Sequence, residues 1–92
     1  MPAFTAEEAN AHLGKLKGWN IEAGQLVKTF QFKHFRDSLA FVNKVGELAE
    51  AAGHHPDIDI RYNKVRLSLS THDAGGLTAK DFDLAAQADR AA

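Results

Sequence analysis

The chain is predicted to be an α+β protein: a four-stranded antiparallel sheet with three helices packed on one face, in the order α-β-β-α-β-β-α. Three observations predict it. Thr5 with Glu8, and Thr78 with Asp81, stand at capping-box spacing and open a helical segment towards each end of the chain. A long apolar stripe of helical period runs through the middle. Before and after that stripe, two stretches rich in β-branched and aromatic residues each fold about a short turn.

The first helix is expected from Thr5 to Lys17, with Gly18 ending it. In "WNIEAGQLVKTFQF" the strand-forming residues lie on both sides of Ala23 and Gly24, which predicts a short hairpin with the turn at those two residues. The second helix follows, carrying Phe35, Leu39, Val42, Val45, Ala49 and Ala52 at three- and four-residue spacing, and Gly53 closes it. Ile58, Ile60 and Tyr62 then alternate with polar residues, as do Val65, Leu67 and Leu69. Placing the turn at Asn63 and Lys64 pairs Tyr62 with Val65, Ile60 with Leu67 and Ile58 with Leu69. The last helix starts near Thr78, with Leu77 and Phe82 spaced as a hydrophobic staple. Trp19, Phe30, Phe32 and Phe41 are assigned to the core.

Ninety-two residues without a linker or repeat are expected to make a single domain, residues 1–92, with a thin core that would benefit from oligomerisation. The absence of cysteine removes disulfides as a source of stability. No apolar run approaches a membrane span, and the first residues are acidic where a signal peptide would be basic, so a cytoplasmic protein is expected. Eleven basic and twelve acidic residues are interspersed along the chain. That balance offers no electrostatic footprint for a phosphate backbone, so no direct nucleic-acid binding is expected.

Three of the five histidines lie in "GHHPDIDIRYNKVRLSLSTH". The expected hairpin register continues to His55 opposite His72, with His54 beside them, so three imidazoles should meet at one end of the hairpin. Pro56 interrupts regular pairing there, so proximity is expected without a particular distance. Glu50, one turn before His54, sits where a carboxylate opposes the helix dipole and could offset that by hydrogen-bonding an imidazole. Asp81 begins the last helix, after the glycine-rich "HDAGG". A pocket is therefore expected between the end of the second helix, the end of the hairpin and the start of the third helix. Solvated side chains, a zinc or iron site and metal-free acid and base catalysis all fit such a cluster; adjacent His54 and His55 tend to point to opposite sides, which counts against the metal. His12 and His34 lie outside it.

The stretch "EAAGHHPDIDIRYNKVRLSLSTHDAGGLTAKD" resembles the pterin-4a-carbinolamine dehydratase family. The pattern is an acidic residue, then His-His-Pro, an aromatic, a histidine after the second strand and an aspartate beyond it: here Glu50, His54, His55, Pro56, Tyr62, His72 and Asp81. Several members carry an aromatic where this chain has Ile58. The resemblance implies dehydration of 4a-hydroxytetrahydropterin to quinonoid dihydropterin, which recycles the cofactor of aromatic amino acid hydroxylases. It implies His54 and His72 as the acid and base pair, His55 as the catalytic-site residue that holds the ring, and Glu50 and Asp81 as groups that orient or tune imidazoles. Gly53, Ser70, Thr71 and Asp73, which flank the histidines, are candidates for pterin contacts. No metal or bound cofactor is implied. A homodimer or homotetramer is, and the apolar face of the second helix, with Phe41 and Leu48, is its expected interface. Animal relatives also bind a homeodomain transcription factor through such a helix, so the rival expectation is a protein-binding module with a vestigial pocket.

Overall fold

A computed structural model describes residues 2–92. Helix α1 spans Ala6–Leu13, strands β1 and β2 Asn20–Glu22 and Gln25–Gln31, helix α2 Phe35–Ala52, strands β3 and β4 Asp57–Arg61 and Lys64–Leu69, and helix α3 Ala79–Ala91. The strands form one antiparallel sheet in the order β1-β2-β4-β3, with the helices on one face, as the sequence predicts. No helix among the described residues is long and apolar enough to cross a membrane.

Both capping boxes form. Thr5 accepts from the Glu8 backbone while Glu8 accepts from the Thr5 backbone, and Asp81 accepts from the Thr78 N–H at 2.9 Å. Helix α1 is shorter than expected: it ends at Gly14, and Lys15 and Leu16 turn back through hydrogen bonds to His12 and Leu13 carbonyls. Glycine is a poor helix former, and leaving the helix there lets Leu16 join Leu13 against the core. The β1–β2 turn falls on Ala23 and Gly24 as expected, with φ of 51° and 75°. Two positive φ values suit the twist of a two-residue hairpin turn.

The hairpin β3–β4 turns one residue earlier than the sequence suggests. Tyr62 and Asn63 form the loop, Arg61 pairs with Lys64, Ile60 with Val65 and Ile58 with Leu67. Tyr62 accepts a φ of 53° because Asn63 is fixed to β2: its side chain donates to the Phe32 carbonyl at 2.9 Å and its own carbonyl accepts from Phe32 N–H at 2.8 Å. Each residue of β3 is thereby paired two positions away from the expected partner. An even shift preserves which face every side chain takes, so Val65, Leu67 and Leu69 still enter the core.

Trp19, Phe30 and Phe41 are buried as expected, and Phe32 packs partly against them. The core side of α2 is rotated from the expected stripe. Ser38, Phe41, Val45 and Ala49 are buried, whereas Phe35 and Leu39 are 47% and 41% exposed. Phe41 is therefore core, not interface, and Leu48 is half-buried against it. The apolar arc of this helix is wide, and contact with β4 and α3 decides its centre. At the far end of the molecule, Lys28 shares the core side with Leu67. Its ammonium meets Asp89 at 2.8 Å and lies over the Phe30 ring, while Trp19 Nε1 also donates to Asp89. This ties β1, β2 and α3 together.

Candidate functional site

Three chain segments meet where the sequence predicts a pocket. Helix α2 ends at Gly53, whose left-handed φ of 62° closes the last turn and delivers His54 and His55 directly from the helix. Strand β4 ends at Leu69, and the chain continues through Ser70 and Thr71 into a single 3-10 turn, His72–Ala74. A backbone bridge between Thr71 and Gly76 folds the glycine-rich loop back and hands the chain to α3. A cavity of about 260 Å³ lies between them, lined by His54, His55 and His72, by Gly53, Ser70, Thr71 and Asp73, and by Lys80. Larger hollows of about 470 and 560 Å³ lie over the outer face of the sheet and beside Tyr62, but neither holds a cluster of groups suited to proton transfer.

The predicted residues are brought together in a different pairing from the one the sequence register suggests. Regular pairing in β3–β4 stops at Asp57 with Ser68. Continued in its observed register, it would set His54 level with Thr71, so His55 is not opposite His72; the two-position shift at the turn is the cause. His54 is mostly buried and its Nε2 lies 2.6 Å from Oδ1 of Asp81, which is fully buried. An ionised carboxylate has no proton to give, so the imidazole donates from Nε2, and Nδ1 is left as the nitrogen free for other chemistry. Oδ2 of Asp81 accepts from the Thr78 N–H and the Thr71 hydroxyl, both at 2.9 Å. Three donors therefore meet one buried carboxylate, which is how such a group is accommodated away from water.

His55 has the opposite environment. Its Nε2 meets Oε2 of Glu50 at 2.5 Å, and the two side chains are 62% and 75% exposed. Glu50 thus orients His55 and not His54, its nearer neighbour by helical turn, and an exposed pair of this kind contributes little to stability. His72 is exposed and opens the 3-10 turn, so it reaches the cavity from a different chain segment. Among the described residues, no group of three His, Cys, Asp or Glu side chains is arranged to hold a metal ion. The sequence reading missed Lys80 as a lining residue, and read Thr78 only as a cap. Their place with Asp81 at the start of α3 was the available signal.

The family model for pterin 4 alpha carbinolamine dehydratase matches residues 2–91. The chain belongs to this family. A relative from Roseiflexus castenholzii, named "Putative pterin-4-alpha-carbinolamine dehydratase", is 63% identical over 82 residues, which cover 89% of this chain and 88% of the relative. A protein of the same name from Chloroflexus aurantiacus is 55% identical over 89 residues, 97% of this chain and 96% of that one. Among solved structures, a transcriptional coactivator/pterin dehydratase from Brucella melitensis superposes with a TM-score of 0.95 at 30% identity, covering 98% of each chain. A pterin dehydratase-like protein described as a RuBisCO assembly factor in the alpha-carboxysome shares the fold at a TM-score of 0.65 and 24% identity, over 79% of this chain and 84% of that one. Family membership and the names of these relatives support pterin carbinolamine dehydratase activity. The dehydratase family also shares its fold with a protein described by an assembly role, so the fold alone does not assign an activity.

Proposed function

We propose that this chain removes water from a 4a-hydroxytetrahydropterin to give the quinonoid dihydropterin, recycling the pterin cofactor of aromatic amino acid hydroxylases, with its own histidines as acid and base. The observation that carries the proposal is a cavity lined by three imidazoles, one of which is held by a fully buried carboxylate. The reaction breaks the C4a–O bond and forms a C4a=N5 double bond. A base takes the N5 proton, an acid protonates the departing hydroxyl, and one water leaves with no net change in protons. Histidine serves both ends near neutral pH. His54 and His72 come to the cavity from different chain segments and take these two roles, and His55, oriented by Glu50, holds the ring. Asp81 orients His54 from behind; Gly53, Ser70, Thr71 and Asp73 supply contacts to the pterin.

No metal or bound cofactor takes part in this scheme, and dialysis against a chelator is expected to leave the rate unchanged. A rate lost on chelation and restored by zinc or iron would revive the metal reading. The functional unit is a homodimer or homotetramer in the cytoplasm, supported by the exposed Phe35 and Leu39 on α2. The same exposed face supports the second reading, a protein-binding module. The deciding experiment follows pterin absorbance while a hydroxylase generates the carbinolamine, with the wild-type chain and with His54→Ala and His72→Ala. Acceleration by the wild type and its loss in both variants is expected. A wild-type rate equal to the spontaneous one overturns the enzyme reading.

A further inference from the structure

From the pocket wall inwards, His54, Asp81, Thr71 and Thr78 form a chain whose direction can be worked out proton by proton. Thr78 is 1% exposed, Thr71 9% and Asp81 0%. The Thr71 hydroxyl lies 2.9 Å from Oδ2 of Asp81 and 2.8 Å from the Thr78 hydroxyl. The Thr78 oxygen in turn accepts from the Lys80 N–H at 3.3 Å. A hydroxyl has one proton. Thr71 spends its proton on the carboxylate, so in the contact between the two threonines Thr78 is the donor. Thr78 has then spent its own, and only its lone pairs face the Lys80 N–H. Every hydroxyl dipole is aligned towards Asp81, and aligned chains polarise one another in a low-dielectric interior.

Thr71 also lines the cavity, but its hydroxyl proton goes to Asp81 behind it, and an N-cap needs only the Thr78 oxygen. The terminus of the chain is what it acts on: Asp81 can only accept, so His54 can only donate from Nε2. We propose that Thr71 and Thr78 are positioning residues, a hydroxyl relay that anchors Oδ2 of Asp81 so that Oδ1 stays on Nε2 of His54, and thereby holds the imidazole in the Nε2–H form with Nδ1 free. The structure of the relay is independent of the reaction, while its consequence for rate rests on the dehydratase reading.

The test uses Thr71→Val, which keeps the shape and removes the hydroxyl, with Thr71→Ser as the conservative rescue and Thr71→Ala as a second hydroxyl-free side chain should valine fail to fold. Nitrogen-15 NMR of the imidazoles reports the His54 tautomer directly, with no need of turnover. Wild type and Thr71→Ser are expected in the Nε2–H form. Thr71→Val or Thr71→Ala should show a mixture of the two forms, and kcat should fall about tenfold or more, as expected where a proton-transfer group is mis-set, with KM within about threefold. Thr78→Val should move the tautomer in the same direction by a smaller amount. A folded Thr71→Val that keeps the wild-type tautomer overturns the relay. A change confined to KM also overturns the relay, leaving Thr71 with only its proposed pterin contact. If wild type has no dehydratase activity, the functional reading fails and the tautomer measurement still decides the relay.

Discussion

Asp81→Asn separates orientation of His54 from mere contact with it. The substitution changes one carboxylate oxygen to NH2 with almost no change in shape. Oδ2 accepts from the Thr78 backbone N–H, which the helix cap holds in place. That position must keep an oxygen, because an NH2 group there would oppose a donor that cannot rotate. The amide nitrogen therefore takes the Oδ1 position and points its hydrogens at Nε2 of His54, which must then accept. The ring is driven to the Nδ1–H form, and the nitrogen that faced other chemistry loses its lone pair. Charge-assisted bonds contribute about 1.5–3 kcal/mol each and neutral ones about 0.5–1.5, so folding stability should fall by roughly 1–3 kcal/mol. The corresponding drop in melting temperature is about 4–8 °C for each kcal/mol in a domain of this size. The rate should fall further than stability does: kcat by about 10²–10⁴, the usual contribution of one acid or base group. KM should stay within about threefold, because Asp81 lies behind the pocket wall. Steady-state dehydration kinetics and calorimetry on the same preparation measure all three. A folded variant with kcat within about threefold of wild type would refute the assignment of His54 as a proton-transfer group set by Asp81.

Glu50→Gln, in the exposed partner of His55, should change stability by less than about 0.5 kcal/mol and lower kcat far less than Asp81→Asn; an equal loss in both would mean that the exposed pair matters as much as the buried one. Ala23→Asn places Asn-Gly in a turn whose two central residues both have positive φ, and chemical denaturation should show it more stable by roughly 0.5–1 kcal/mol. A destabilised variant would count against that turn geometry. Ser38 is fully buried in α2 and its hydroxyl has no hydrogen-bond partner among the described residues. Ser38→Ala should therefore raise stability by about 1 kcal/mol, seen as a higher melting temperature, and a clear loss of stability would reveal a partner for that hydroxyl.

The two carboxylates illustrate how much of the site can be read from residue order. Both were identifiable as partners for imidazoles, Glu50 from its place at the end of α2 and Asp81 from the family pattern. Which imidazole each one meets was not legible. Glu50 lies four residues before His54 yet bonds His55, because Gly53 leaves the helix in a left-handed conformation and turns the next two side chains away from the helical period. Asp81 and His54 are 27 positions apart and meet only because β4 and α3 pack beside the end of α2. The hairpin teaches the same lesson. Alternation placed its core side chains correctly, but the turn position depended on Asn63 hydrogen-bonding to Phe32, just past the end of β2.

The elements, their caps and the β1–β2 turn follow from interactions spanning a few residues: a hydroxyl three positions from its N–H, a glycine in a left-handed turn, a helical apolar period. These are written in neighbouring letters, so the α+β class, the segment order and the meeting of three histidines at one end of a hairpin could be read directly. The core face of α2, the register of β3 on β4 and the pairing of each carboxylate with its imidazole are decided between segments distant in the chain. Their energies depend on how helices and sheet pack together, and that packing is settled by the molecule as a whole. The hydroxyl chain from Thr78 through Thr71 to Asp81 and His54 belongs to this second group: each residue is ordinary alone, and only burial aligns their protons.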